Sequence, residues 1–285
     1  MMAKFILSAF ADEIDASFDI QLESLKKLGI NMLEIRGVDG KSFVTLSDEE
    51  VDTVKEKLSA AGITLSSLGS PIGKIAVDGD IEAHKALFTR IMDIGDKLGC
   101  KRVRMFSFYP AENMERSEFA QKVYALMEEL LVMAEARGFT LCHENEKGIY
   151  GQSPENVREL MDHFGGRLKV VLDNGNFPFC GEDASGAYEL LKDYVEYMHI
   201  KDCDGEGIIV PPGYGNAYLK ETLAQINKDT EEEFILTVEP HLMMFTGLSS
   251  LSDTDDIKHK YSFADGYEAF EFAVTEIRKM LNDLD

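Results

Sequence analysis

The chain is predicted to fold as one α/β domain, an eight-stranded parallel (β/α)8 barrel, and three observations carry that prediction. Apolar, β-rich runs alternate with amphipathic stretches eight times along the sequence. The length of 285 residues suits one such barrel, which takes about 250. No Pro/Gly/Ser-rich stretch or charge block divides the chain, so residues 1–285 are read as a single barrel domain. An open doubly wound sheet is the alternative. It seldom repeats eight units without a second domain, and the glycine-rich dinucleotide fingerprint is absent.

Taken in order, the strands are expected near 5–10, 31–37, 64–70, 102–108, 139–146, 168–174, 195–202 and 234–240. The helices between them are expected near 17–28, 48–61, 80–98, 115–136, 154–163, 186–192, 216–227 and 265–282. Several boundaries carry local signals. Ser47-Asp-Glu-Glu50 reads as a capping box ahead of Val51 and Val54. Ser153-Pro-Glu155 places an N-cap before a proline at the first helical position. Gly29 and Gly62 read as helix-ending caps just before strands. Met114, Met127 and Met133 read as helix core. Residues 241–264, with Gly247-Leu-Ser-Ser-Leu-Ser-Asp253, lack helical periodicity and are expected to lie over the barrel mouth as a lid or to form a homodimer contact.

Composition narrows the function classes. A hydrophobic share of 45% can supply a sizeable core, and no apolar run approaches the roughly 20 residues of a membrane span. The apolar start, Met1 to Phe10, runs into Ala11-Asp-Glu13 and reads as a first strand rather than a secretory signal. With 29 basic against 52 acidic residues the net charge is −23, which would repel a phosphate backbone, so no nucleic-acid partner is expected. Cys100, Cys142, Cys180 and Cys203 show no paired spacing and read as reduced residues of a cytoplasmic protein.

Four polar residues end four of the apolar runs: Glu144, Asp173, His199 and Glu239. In a parallel barrel the carboxyl ends of the strands form the active site. Alternation along each strand puts Cys142 with Glu144 on one face, as it does Tyr197, His199 and Lys201, and Thr237, Glu239 and His241. Singly, each has an ordinary explanation: a strand-end Asp is often a turn former, and a lone His is often a satisfied core residue. A carboxylate inside an apolar run is harder to place, because burying it unpaired is costly. Together, three carboxylates and one imidazole on adjacent strands make an oxygen-rich cage for one divalent metal. Candidate substrate contacts are Glu34, Arg104, Asn176, Lys201 and His241, each against a bland alternative. Glu34 with Arg36, or Arg104 across the barrel, can form a structural salt bridge. Lys201 can pair with a rim carboxylate, and Asn176 can simply shape a turn.

The segments Cys142-His-Glu-Asn145, Val170-Val-Leu-Asp173, Met198-His-Ile-Lys-Asp202, Thr237-Val-Glu-Pro240 and the Gly213-Tyr-Gly215 turn resemble the xylose isomerase-like barrel superfamily of sugar phosphate isomerases and epimerases, over essentially the whole chain. The resemblance implies that Glu144, Asp173, His199 and Glu239 hold one divalent ion (manganese, cobalt, magnesium or zinc), and that Glu144 and Glu239 serve as acid and base. The implied chemistry is enediolate proton transfer on a small-molecule sugar or polyol-derived ketone. Two positions depart from the ketose 3-epimerase pattern: Asn176 stands where those enzymes carry His, and Gly205 where they tend to carry Arg. An inosose-type dehydratase shares the metal site and the first step. An apurinic endonuclease with three zinc ions needs several more histidines at the mouth, including one where Asn176 stands, and with six histidines in all and a charge of −23 the chain fits that reading poorly. A sugar-binding barrel without activity is disfavoured by the full set of four rim ligands.

Overall fold

The computed structural model describes residues 3–245 and 260–284. Eight parallel strands line the middle of the molecule: β1 (Lys4–Ala9), β2 (Met32–Ile35), β3 (Thr64–Gly69), β4 (Arg102–Met105), β5 (Thr140–Glu144), β6 (Lys169–Asp173), β7 (Val195–Ile200) and β8 (Glu233–Val238). They follow one another in the order β1-β8-β7-β6-β5-β4-β3-β2, each bonded to the next, and β1 packs beside β2 at the remaining seam. The helices are α1 (Phe18–Lys27), α2 (Asp48–Ala61), α3 (Ile81–Leu98), α4 (Arg116–Glu135), α5 (Pro154–Phe164), α6 (Ala187–Leu191), α7 (Leu219–Asp229) and α8 (Gly266–Asn282). The expected barrel is therefore present, nearly closed. The expected lid or dimer segment falls largely on residues 246–259, outside the described residues.

Local signals set most boundaries. Ser47 and Glu50 form the reciprocal capping box of α2, which ends at Gly62 in the left-handed region (φ 68°). Ser153 accepts from the Asn156 N–H with Pro154 in the first turn of α5. The helices bury one stripe each (Leu25, Val51, Ile91, Leu131, Leu160 and Ile277 among others) against the outside of the sheet. Each such side chain contributes roughly 1.5–3 kcal/mol. Met127 is fully buried in α4, and Met114 and Met133 are partly buried against the same core. All four cysteines are free, and no described helix is long and apolar enough to cross a membrane.

The differences have local causes. β4 stops at Met105 instead of continuing to 108, because Phe106 and Phe108 turn their N–H groups to the carbonyls of Ile72 (2.7 Å) and Gly73 (2.9 Å). Gly73 sits at φ 87°, and a Cβ there would meet the Phe106 carbonyl oxygen at 1.9 Å, so only glycine permits this crossing. The expected helix at 186–192 is five residues long and follows a separate four-residue helix, Asn176–Phe179. Gly181 and Gly186, both left-handed, keep the two apart. α7 starts at Leu219, later than expected, because residues 213–217 wrap around Asp202. Its carboxylate accepts from the N–H groups of Cys203, Gly213, Gly215 and Ala217. A Cβ on Gly215 would lie 2.3 Å from that carboxylate.

Candidate metal centre and active site

Inside the barrel, Cys142, Val171 and Tyr197 pack with Ile235 as a small apolar plug. One pleat further toward the carboxyl ends, the inward positions become polar. Glu144 ends β5, Asp173 ends β6, His199 lies on β7, and Glu239 follows β8. All four are at most 2% exposed, and one donor atom from each lies within 4.8 Å of the others. The four ligands suggested by the strand ends thus converge at one point.

Each carboxylate is braced by its own cation. Arg104 donates to Glu144 Oε2 at 2.9 Å, Lys201 Nζ stands 2.9 Å from Asp173 Oδ2, and Arg36 donates to Glu239 Oε1 at 2.8 Å. His199 Nδ1 lies 3.0 Å from Glu239 Oε2 and 3.3 Å from Glu144 Oε1. These contacts still leave gaps. Asp173 Oδ2, His199 Nδ1 and Glu239 Oε2 are buried, and their close ionic contacts just given do not have hydrogen-bond geometry, nor does any other described residue supply it. Buried polar atoms are nearly always bonded, so three such atoms aimed at one point are unusual. A hard or borderline divalent cation matches both the close approach of these donor atoms and the set of three oxygens and one nitrogen.

The electrostatics show what stands in for a cation within the chain itself. Burial would lower the His199 pKa, but Glu144, Glu34 and Glu239 together raise it well above the ordinary histidine value. Burial would raise Glu144, yet the charges of His199 and Arg104 hold it at about 2. Glu239 is likewise held well below the carboxylate range, by Lys201 and His199 against the effect of burial. Asp173 goes the other way: burial pushes it up to about 7 in spite of Lys201. A protonated imidazole therefore neutralises the two glutamates, and that proton has to leave before Nδ1 can bind a metal.

A second tier of residues holds the first in place. Glu34 is fully buried beneath His199. Its Oε2 lies 3.0 Å from His199 Nε2 and accepts from Thr237 Oγ1 at 3.0 Å, while its Oε1 accepts from Tyr197 Oη at 2.8 Å. This is the carboxylate–histidine arrangement that fixes a ligand's tautomer. Glu34 and Arg36 do not pair with each other. Arg36 instead grips Asp12 through Nε (2.9 Å) and Nη2 (3.1 Å) and reaches Glu239 across 203 positions of sequence. Asn176 Nδ2 donates to the Asn145 carbonyl at 2.8 Å and lies 3.4 Å from Glu144 Oε1. The His241 N–H donates to Glu13 Oε2 at 2.8 Å, and its Nε2 is 3.3 Å from Glu239 Oε1. Burial and Lys201 push the His241 pKa down to about 4, so its ring is neutral.

Three participants escape the strand-end reading. Asp12 and Glu13 follow the first strand at the same rim, yet Ala11-Asp-Glu13 reads in sequence only as the end of an apolar start. Burial pushes Glu13 up to about 8 even with Arg36 beside it. Asn145 pins the end of β6, donating to the Asp173 carbonyl (2.7 Å) and accepting from the Asp173 N–H (3.0 Å).

Residues 22–253 match the family model described as xylose isomerase-like TIM barrel. No curated protein matches the chain. A crystal structure of D-psicose 3-epimerase in the presence of D-fructose is similar with a TM-score of 0.75 at 17% identity, covering 98% of this chain and 99% of that one. The probable 3-DHS dehydratase of petrobactin synthesis from Bacillus anthracis gives 0.72 at 12% identity, over 96% and 98%. A xylose isomerase-like TIM barrel protein from Mycobacterium smegmatis, solved in complex with magnesium, gives 0.67 at 16% identity, over 99% and 97%. At these identities the likeness is one of fold.

Proposed function

We propose that this chain, which belongs to the xylose isomerase-like TIM barrel family, is a divalent-metal-dependent isomerase or epimerase of a sugar or sugar phosphate, acting in the cytoplasm. The observation that carries the reading is the convergence of buried donor atoms from Glu144, Asp173, His199 and Glu239, three of which have no well-formed hydrogen bond among the described residues. A similar fold crystallised with magnesium, and another named as a ketose epimerase, support it.

Glu144, Asp173, His199 and Glu239 would hold the ion, which supplies Lewis-acid polarisation of a carbonyl and its neighbouring hydroxyl. The remaining work belongs to the chain. Glu144 and Glu239 are both ionised, so either can take the proton from the carbon beside the carbonyl while the other returns one. Arg104 and Arg36 hold the far oxygen of each glutamate, which fixes the near oxygen toward the substrate. Return of the proton to the opposite face gives an epimer, and return to the neighbouring carbon gives an isomer. Lys201, Asn176 and His241, which lie against Asp173, Glu144 and Glu239 respectively, are the candidate substrate contacts, whereas Glu34 lies beneath His199 as a positioning residue.

An inosose-type dehydratase is the second reading, and one observation favours it. Elimination of a β-hydroxyl needs an acid, and Glu13, whose pKa burial pushes up to about 8, lies 3.3 Å from His241 Nε2 at the edge of the site. Metal analysis of the purified chain, followed by incubation with a ketose panel in deuterated water, separates the outcomes. One equivalent of metal with deuterium at the α-carbon and no loss of water is expected. Loss of water would establish the lyase instead. Neither metal nor exchange would end both readings.

A further inference from the structure

A cavity of about 340 Å³ opens beside the donor cluster, on the side of β1 to β4, a size that suits a small ligand. Arg36 and Arg104 form its boundary with the candidate metal centre: each bonds a glutamate of the centre and also lines the cavity. Val44, Pro71 and Phe106 supply apolar wall. Lys74 lines it from the loop between β3 and α3, and the backbone there is tied down. The Gly73 N–H donates to His84 Nε2 at 2.8 Å, and the Lys74 N–H donates to the Pro71 carbonyl at 3.0 Å. The Lys74 side chain is only 10% exposed, with Nζ 3.1 Å from Glu146 Oε2 and 4.4 Å from the centre of the Phe106 ring.

Charge constrains the occupant. Every basic residue lining the cavity is already matched to a carboxylate: Arg36 to Asp12 and Glu239, Arg104 to Glu144, Lys41 to Glu50 and Lys74 to Glu146. Asp12 itself stands in the wall. A phosphate dianion brought to Lys74 would sit close to Glu146, in a cavity that also holds Asp12 and in a chain of net charge −23. Like charges at such range repel strongly where water is scarce, and the field of the whole chain opposes the approach of anions. A hydroxyl meets neither obstacle. Its oxygen accepts from an ammonium that is already paired, and it adds no charge. A lysine–glutamate pair this deep returns little stability once both ions are desolvated, so its place at the cavity wall is better explained by what it contacts.

We infer that Lys74, paired with Glu146, is a specificity-determining contact for the hydroxylated tail of the substrate, and that the substrate is an uncharged ketose rather than its terminal phosphate ester. The inference rests on the proposed function, because it places the ketose carbonyl at the metal centre and the tail in the cavity. The test uses the full chain loaded with Mn²⁺ and given D-fructose, D-xylulose or D-ribulose, each against its terminal phosphate ester, in deuterated water. Reactions are quenched with a chelator and α-proton exchange is read by NMR. At least one free ketose is expected to exchange about tenfold faster or more than its ester. Glu146→Gln, which removes the repelling charge, should shift that ratio toward the ester by at least about fivefold. Lys74→Met should raise KM for the favoured ketose by at least about fivefold, with kcat within about twofold. Esters that exchange as fast as the free sugars, a ratio untouched by Glu146→Gln, or a KM untouched by Lys74→Met would each overturn the inference alone. No exchange with any of these compounds would refute the proposed reaction as well. Folding of both variants is checked by circular dichroism, and should Lys74→Met fail to fold, the ratios of the parent and Glu146→Gln decide.

Discussion

Replacement of Glu34 by glutamine tests the coupling between barrel interior and metal centre. Three donors converge on this carboxylate: Tyr197 Oη at Oε1, and Thr237 Oγ1 and His199 Nε2 at Oε2. An amide offers one acceptor oxygen in place of two. If that oxygen stays with Tyr197, the NH2 group faces His199 Nε2, and the imidazole must turn that nitrogen into an acceptor. The ring proton then moves to Nδ1, the atom required as the metal donor. Loss of such a partner costs about 10–100-fold in metal affinity, or about 1.4–2.7 kcal/mol. Tyr197→Phe removes one donor but leaves the charge and the His199 contact, so its metal affinity should match the parent. Competition of each variant against a chelator for Mn²⁺ gives the comparison. A Glu34→Gln dissociation constant within about twofold of the parent would refute the reasoning.

Further outcomes follow from the same geometry. Glu144→Gln and Glu239→Gln should each lower kcat by at least about 10²-fold, because each removes one member of the proton-transfer pair; near-normal turnover by either would exclude a two-glutamate mechanism. Metal affinity should rise with pH. The His199 pKa of the metal-free protein is raised, so below it a proton competes for Nδ1, and below about pH 7 Asp173 adds a second competing proton. Titrations in buffers of different ionisation enthalpy should show protons released on binding, and an affinity that is flat between about pH 6 and 8 would contradict this. Arg104→Ala leaves the Glu144 carboxylate buried without its partner, a loss of about 3–5 kcal/mol in denaturant unfolding. It also removes a charge that lowers the Glu144 pKa, so the acid limb of activity should move to higher pH.

The barrel was legible because its determinants are local. Buried parallel strands are apolar on both faces, helices carry one apolar stripe, and caps such as Ser47 and Ser153 mark where one gives way to the other. The candidate ligands were legible for a related reason: a charged residue closing an apolar run has few inexpensive places to go, and in a barrel all such ends share one rim. Sequence therefore determined the eightfold repeat and the identities of Glu144, Asp173, His199 and Glu239 as one group. Tertiary structure decided how that group is held. The register shift between Leu33 and Glu34 accompanies the inward placement of Glu34 beneath His199 instead of beside Arg36. Arg36 found Asp12 and Glu239, and Arg104 found Glu144, across 24, 203 and 40 positions of sequence. Such pairings depend on which strands become neighbours and how closely their side chains approach inside a low-dielectric space, and neither quantity is written in the spacing along the chain.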